Sequence, residues 1–346
     1  MPRRNREAEF MRAALTEAQR GVGLTSPNPA VGAVLVIDNR IVARGHHRRA
    51  GAPHAEMECL ARFGRALPGK ATLYVTLEPC STTGRTPPCA NALVEAGLKR
   101  LVVGALDPNP KHSGRGIDWL KKQGVNVRAG VLSEECEKLN PSYNKWIRTK
   151  LPFVIAKCGM SLDGRLAAPS RESQWLTSPR SRKHAQTLRA RVDAILVGAQ
   201  TVRSDNPRLT VRGKRGARQP WRVVLSTSGK LPRNAKIFRD RFADRTLVYG
   251  KTRLSELLRE LGSREITSVL IEGGGEILGQ ALDEQLIDQV QIYLAPVFTG
   301  GPTVAFAGAG ARSTQEAPHL ADIEYEKIGE DICVSGNPIY ARASAE

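Results

Sequence analysis

Apolar and polar positions along the 346-residue chain fall into two successive alternations of helix-like and strand-like segments. Residues 7–20 set Phe10, Ala13, Ala14 and Ala18 at helical spacing and stop at Gly21, which predicts a helix. β-Branched runs over 31–37 and 41–44 predict two strands, and further strands are expected at 73–77, 101–105 and 125–129. Between them, helices are expected after His54, from Cys89, near Ile117 and from Ser133, with Asp107-Pro108-Asn109-Pro110 as a turn. Such alternation predicts an α/β sandwich that presents its functional groups at strand ends.

Leu151-Pro152 breaks the pattern, because a residue before proline is biased away from the helical region. A second alternation follows. Strands are expected at 153–157, 194–197, 222–225, 247–249, 269–271 and 290–294, with helices at 179–189, 254–261 and 276–282. The chain therefore reads as two α/β domains, 1–147 and 152–346, joined near 147–152.

The first half carries the stronger chemical signal. Pro53-His54-Ala55-Glu56 and Glu78-Pro79-Cys80, followed by Pro87-Pro88-Cys89, supply a histidine, two cysteines and a spare carboxylate. H-x-E followed by P-C and a second cysteine is the pattern of zinc-dependent nucleobase deaminases. Catalytic zinc takes three protein ligands, here His54, Cys80 and Cys89, and keeps a fourth position for water whose pKa it lowers. Glu56 is placed to carry a proton between that water and a leaving amine. Positions i and i+2 diverge inside a helix, so His54 and Glu56 must sit in a first turn to reach one point. Pro87-Pro88 likewise reads as a helix start at Cys89. Set against this, a lone histidine near a helix start is commonly a cap and a lone cysteine a small core residue. A disulfide framework is disfavoured by only six cysteines in 346 residues without a secretion signal. Cys59, Cys136, Cys158 and Cys333 lack a partner motif and read as packing residues.

In the second half, Ile271-Glu272-Gly273-Gly274-Gly275 ends a strand in glycines and opens a helix, which lets a phosphate approach backbone N–H groups. The dinucleotide fingerprint G-x-G-x-x-G fails, since Leu278 stands where the third glycine belongs. On the residues alone, a structural glycine turn and a nucleotide site are equally open.

Composition narrows the partners. The formal charge of +18 suits nucleic acid, anionic small molecules or solubility alike. The densest arginine cluster, 212–222, contains glycines and proline and reads as a solvated loop. Aromatics make up 5% of the chain, too few for repeated base-stacking platforms. The longest apolar run, 30–37, cannot cross a bilayer, and the charged first ten residues hold no signal-peptide core, so a cytoplasmic protein is expected.

Taken together, the chain resembles the bifunctional riboflavin-biosynthesis deaminase–reductases. In the first half the matching stretches are Thr25-Ser26-Pro27-Asn28-Pro29, Ala52-Pro53-His54-Ala55-Glu56, Thr76-Leu77-Glu78-Pro79-Cys80, Gly84-Arg85-Thr86-Pro87-Pro88-Cys89 and Asp107-Pro108-Asn109-Pro110. The long Cys80–Cys89 interval is similar to that of this family. In the second half they are Lys157, Ser161-Leu162-Asp163-Gly164, Glu172-Ser173-Gln174-Trp175, Asp205-Asn206-Pro207, Leu209-Thr210-Val211-Arg212 and Glu272-Gly273-Gly274.

The resemblance implies a cytidine-deaminase-like zinc domain followed by a dihydrofolate-reductase-like domain that uses NADPH. It implies deamination of 2,5-diamino-6-(5-phosphoribosylamino)pyrimidin-4-one, then reduction of the ribosyl group to ribityl. It places Gly159, Trp175, Thr201, Asp205, Ser226 and Gly274, Gly275, Glu276, Ile277, Leu278, Gly279 and Gln280 at cofactor positions. Asn28, His47, Arg85, Ser173, Arg189, Leu209, Arg212 and Glu272 fall at substrate positions, with Arg85, Arg189 and Arg212 suited to phosphate. His46 is expected to be merely exposed. Glu56, Lys157 and Asp205 are the catalytic candidates. The implied partners are a phosphorylated pyrimidine and further copies of the chain, with neither nucleic acid nor a membrane. One departure stands out. Where the family usually has Cys-Ser-His, this chain has Cys80-Ser81-Thr82, so altered substrate contacts around an intact metal set are expected. The competing readings are a tRNA- or nucleobase-editing deaminase, or a homologue that retains one of the two activities.

Overall fold

The computed structural model describes residues 3–82, 88–168, 175–213 and 216–340. The chain divides into two compact units, Met1–Lys150 and Leu151–Glu346.

In chain order the first unit contains α1 (Arg3–Gln19), β1 (Gly32–Ile37), β2 (Arg40–His46), α2 (Ala55–Phe63), β3 (Thr72–Leu77) and α3 (Cys89–Glu95). It continues with β4 (Arg100–Ala105), α4 (Arg115–Lys122), β5 (Asn126–Ala129), α5 (Ser133–Lys138) and α6 (Pro141–Thr149). The five strands are ordered β2-β1-β3-β4-β5, with β1 antiparallel to both its neighbours and β3, β4 and β5 parallel. Adjacent strand residues point to opposite faces, and two glycines mark where a helix closes on each face. A Cβ on Gly32 would lie 2.1 Å from the Ala14 carbonyl of α1, and one on Gly45 would lie 2.3 Å from the Ala55 carbonyl of α2. Gly45 pairs with Ala33, next in sequence to Gly32, so α1 and α2 cover opposite faces. Helix α1 starts earlier than residue 7 because its polar first turn offers no apolar periodicity to read.

The second unit comprises β6 (Phe153–Ser161), α7 (Pro179–Arg189), β7 (Ala194–Gly198), α8 (Ala199–Asp205), β8 (Trp221–Leu225), α9 (Lys236–Arg239) and β9 (Thr246–Tyr249). Then come α10 (Leu254–Ser263), β10 (Ser268–Glu272), α11 (Gly275–Asp283), β11 (Gln289–Ala295), β12 (His319–Ile328) and β13 (Asp331–Ile339). Its eight strands are ordered β12-β13-β11-β6-β10-β7-β8-β9. Six of them form a parallel sheet, and β12 and β13 add an antiparallel hairpin at one edge. Alternation along the central strands feeds two cores: Val154, Ala156 and Leu196 face α10 and α11, while Ile155, Ile195 and Leu270 join Leu188 of α7 and Ile237 of α9. Burial on both faces is why these strands read as continuous apolar runs.

The sequence pattern gave no hint of the last hairpin. Seven of the ten residues of β12 are solvent-exposed, several of them charged, so it lacks the buried alternation that announces a strand. The arginine-rich stretch also differs from expectation. Arg222 is 1% exposed, buried by five hydrogen bonds, and Arg218 pairs with the buried Asp193 at 2.7 Å. His46 is not merely exposed: it lies 3.7 Å from the buried Glu17 carboxylate. Cys59, Cys136, Cys158 and Cys333 are all buried and unbridged. Burial pushes the thiols of Cys59, Cys136 and Cys158 up to about 12, which keeps them inert.

Because Gly32 meets backbone atoms, which cannot rotate away, Gly32→Ala is expected to destabilise the first unit by at least about 1–3 kcal/mol. Urea unfolding followed by tryptophan fluorescence should show the loss in the first unit, with reductase activity retained at low denaturant.

Candidate active sites

Strand β3 runs into Glu78-Pro79-Cys80 at its C-terminal end, where open α/β sheets place their sites. His54 is the N-cap of α2, extended at φ −71 and ψ 166, and Cys89 is the first residue of α3. Two helix starts and one strand end thus bring three donors together. His54 Nδ1 lies 3.1 Å from Cys89 Sγ and 3.6 Å from Cys80 Sγ, and the donor atoms all lie within 4.8 Å of one another. Tetrahedral zinc with ordinary Zn–S and Zn–N bonds separates such donors by about 3.5–3.8 Å. The residues present fit that ion. The Cys89 N–H donates to Cys80 Sγ at 3.3 Å, and hydrogen bonds from the Cys89 thiol and His54 pull the Cys80 thiol well below its ordinary value. Among the described residues this is the one cluster of His, Cys and acidic side chains able to hold a metal.

Glu56 is 3% exposed, and its Oε2 has no hydrogen-bond partner among the described residues. Burial pushes its carboxyl up, with the His54 charge pulling the other way. An orphaned buried carboxylate oxygen two residues from a metal donor suits a proton carrier.

Around this core, Asn28 and His47 form a bracing chain. Asn28 Nδ2 lies 3.1 Å from His47 Nε2, and His47 Nδ1 lies 3.1 Å from the Pro53 carbonyl, immediately before His54. His47 is 2% exposed, and burial lowers its pKa, so the ring is neutral with both nitrogens engaged. Thr82 Oγ1 lies 3.4 Å from His112 Nδ1, which sets an imidazole from the loop after β4 beside the family departure. Arg85 and Ser173 lie outside the described residues.

The sequence reading missed Glu78 as an organiser. Its carboxylate is 5% exposed and accepts backbone N–H bonds from Asp107 at 3.1 Å, Gly114 at 2.9 Å, Gly116 at 2.8 Å and Ile117 at 3.3 Å. Gly116 has to lack a Cβ, which would fall 2.4 Å from the Pro79 carbonyl. A charged residue closing a strand that carries no other charge was the available signal. Asn140 was missed as well: it bridges Ala30 through both backbone groups, at 2.7 and 2.9 Å across 110 residues.

In the second unit, β6, the end of β10, α7, and α8 with the loop after it line a cavity of about 570 Å³. Lys157, Trp175, Arg189, Thr201, Asp205, Leu209, Arg212, Glu272 and Gly273 all line it. Glu272 sits opposite Lys157 in the β10–β6 register and is clamped by Arg189, Nε to Oε1 at 2.7 Å and Nη2 to Oε2 at 2.6 Å. Burial would raise the Glu272 carboxyl, but the Arg189 charge outweighs it and holds the group ionised. Gly273 and Gly274 adopt φ of 98° and 68°, and a Cβ on Gly273 would come 3.2 Å from Thr201 Oγ1. This is a backbone cradle that side chains would fill, as a bound dinucleotide requires. The buried Ser226 hydroxyl after β8 has no hydrogen-bond partner among the described residues. These features fit NADPH.

The remaining cofactor candidates are placed differently. Gly159 packs against Thr177, and Ile277 and Leu278 belong to the core. Gly275 and Gly279 are small because segment 304–308 lies on them, with a Cβ meeting the Val304 carbonyl at 2.0 Å or the Gly308 nitrogen at 2.3 Å. Glu276 is exposed, and Gln280 bonds Glu284 at 2.7 Å.

Fold and sites define a zinc-type deaminase joined to a dihydrofolate-reductase-like reductase. Residues 4–105 match the family described as the cytidine and deoxycytidylate deaminase zinc-binding region, and residues 152–334 match the RibD C-terminal domain. The riboflavin biosynthesis protein RibD of Aquifex aeolicus is 37% identical, covering 95% of this chain and 97% of its own. Its Escherichia coli counterpart is 38% identical over 94% and 97%. Among solved structures, Acinetobacter baumannii RibD superposes with a TM-score of 0.90 at 36% identity, covering 97% of this chain and 99% of that one. A Thermotoga maritima diaminohydroxyphosphoribosylaminopyrimidine deaminase/5-amino-6-(5-phosphoribosylamino)uracil reductase gives 0.88 at 34%, with the same coverage. The chain belongs to the RibD family.

Replacing Glu78 by alanine leaves four backbone N–H groups without their acceptor, at about 1–3 kcal/mol for each one left buried and unsatisfied. Glu78→Ala is expected to lower the melting temperature and the bound zinc, read by calorimetry and metal analysis. Wild-type zinc content at an unchanged melting point would contradict the role given to Glu78.

Proposed function

We propose that the chain catalyses two consecutive steps of riboflavin biosynthesis, one in each unit. The first unit hydrolytically deaminates 2,5-diamino-6-(5-phosphoribosylamino)pyrimidin-4-one, and the second reduces the ribosyl group of the resulting aminouracil to ribityl. A RibD-family match across nearly the whole chain, over two sites that each keep their ionisable groups, carries this reading.

In the deaminase, His54, Cys80 and Cys89 hold zinc, which when bound makes water nucleophilic near neutral pH. Glu56 takes a proton from water and returns it to the departing amine nitrogen, so that ammonia leaves. Burial raises its affinity for the proton it must hold between the two transfers. Asn28 and His47 fix the Pro53–His54 corner that sets this geometry. In the reductase, NADPH supplies the hydride. The Gly273–Gly274 turn, Thr201 and Trp175 form its seat, while Lys157 and Asp205 stand as polar groups beside the reacting ribose carbon. We further place the protein in the cytoplasm as a homo-oligomer acting on this small phosphorylated pyrimidine, with neither nucleic acid nor membrane as a partner. Six unbridged cysteines support a reducing compartment, and no helix among the described residues is long and apolar enough to cross a membrane.

Incubation with the diaminopyrimidine phosphate should release ammonia and give a product about one mass unit heavier. Adding NADPH should raise that mass by about two more units. Glu56→Ala should stop ammonia release with zinc retained and reduction of supplied aminouracil intact. Asp205→Ala should do the converse. Joint loss of both activities in either variant would sink the two-site reading.

A further inference from the structure

Glu17 is a buried carboxylate that the chemistry of the first unit leaves unused. It sits in the last turn of α1, with its side chain 1% exposed. Two arginines approach it, Arg20 Nη1 at 3.1 Å from Oε2 and Arg44 Nη1 at 3.8 Å from Oε1, with side chains 58% and 45% exposed. Solvated ion pairs of this kind contribute little, whereas burying a carboxylate is costly. Its interior neighbour is His46, whose Nδ1 lies 3.7 Å from Glu17 Oε2 and whose side chain is 15% exposed. Neither facing atom makes a well-directed hydrogen bond among the described residues.

The end of β2 connects this pair to the deaminase site. His46 pairs with Gly32 across β1 and β2, and Gly32 lies under α1, so the His46 side chain faces α1. Successive strand residues point to opposite faces, and His47 turns instead toward Pro53 and His54. The end of α1 meets this two-residue step twice. Glu17 reaches the His46 ring, and four residues on, a Cβ on Gly21 would come 2.7 Å from the His47 carbonyl. Close backbone packing holds α1 against β2, and the directional contact sets where the 46–47 step sits beneath it. Burial lowers the His46 pKa, the Glu17 charge opposes this, and Arg20, Arg62 and Arg48 add to the lowering. The ring is therefore neutral near pH 7 and keeps one N–H to offer the carboxylate.

We propose that Glu17 and His46 are positioning residues of the deaminase: the buried carboxylate anchors the imidazole and, through the adjoining His47, sets the corner that delivers His54 and Glu56. The proposal rests on the deaminase reading above. A continuous line carries it, from Glu17 to His46, along one peptide bond to His47, and from His47 Nδ1 to the Pro53 carbonyl at 3.1 Å.

The test is steady-state ammonia release by the zinc-loaded full-length protein with the diaminopyrimidine phosphate. Glu17→Gln keeps the shape and removes the charge, and His46→Phe keeps a ring and removes its nitrogens. Each should lower kcat about tenfold, because a small misplacement of catalytic groups costs rate. KM should change by less than about twofold, and zinc content and reduction of supplied aminouracil should stay at wild-type values. His46→Asn, whose amide nitrogen replaces Nδ1, should recover most of the lost kcat. Because the two residues act as one unit, Glu17→Gln with His46→Phe should lose no more than either alone. Followed by NMR, the His46 ring should titrate below the ordinary histidine value, and lower still in Glu17→Gln. An unchanged kcat in both single variants, no recovery with His46→Asn, losses that multiply in the double variant, or a His46 titration indifferent to Glu17→Gln overturns the proposal. So does a loss confined to zinc content or melting temperature, which assigns the pair to stability alone. Wild-type protein that releases no ammonia from this compound refutes the deaminase reading itself, before any variant is compared.

Discussion

A carboxylate withdrawn from water must recover its lost hydration, and Glu78 does so by collecting four backbone N–H groups. That requirement shapes the first site. The acceptors sit at the end of β3, two residues before Cys80, while the donors belong to the loop after β4 and the first turn of α4. Satisfying one buried charge therefore fixes the backbone that delivers a metal donor and closes the loop carrying His112 beside Thr82. The same residue could not be replaced by an apolar one of similar size, because the N–H groups would be left without partners.

The second unit solves a comparable problem with a pair. Glu272 ends β10 inside the protein, and its charge is met by Arg189 from α7, with Lys157 alongside on β6. A buried ion pair adds little net stability, yet removing either partner strands the other charge. Its worth lies in position: three elements far apart in sequence are held at the strand edge where the cavity opens. The adjoining Gly273–Gly274 turn can then bring its backbone close to a ligand, because no side chain intervenes.

Much of this was legible in the residues. His54, Glu56, Cys80 and Cys89 announce a zinc site because few other uses require those four types at that spacing, and the central strands announce themselves through continuous apolar runs. The organising residues were not legible, for a physical reason. Glu78, Asn140 and Arg222 work through backbone groups 14 to 110 residues away, and backbone acceptors and donors are the same in every sequence. Arg222 shows the limit most plainly: composition reads an arginine amid glycines as solvated, whereas five hydrogen bonds make it one of the most buried side chains. Strand β12 escaped because an exposed edge strand carries no buried face to pattern. His47 was legible as part of the site, but the engagement of both its ring nitrogens appears only once Asn28 and Pro53 are placed.

The two sites end with opposite electrostatic designs built on one topological rule. Both lie where parallel strands finish and helices start, so each begins with converging backbone dipoles. In the deaminase these meet soft, deprotonatable donors and a buried carboxylate, which suits a divalent cation and the transfer of protons at short range. In the reductase the buried Glu272 at the glycine turn is paired with Arg189, with Lys157 and Arg212 acting on the same carboxylate, and Asp205, Arg208 and Lys236 line the same cavity. The electrostatic difference between the two sites thus follows from which side chains are paired, and pairing is a property of the fold that composition alone does not reveal.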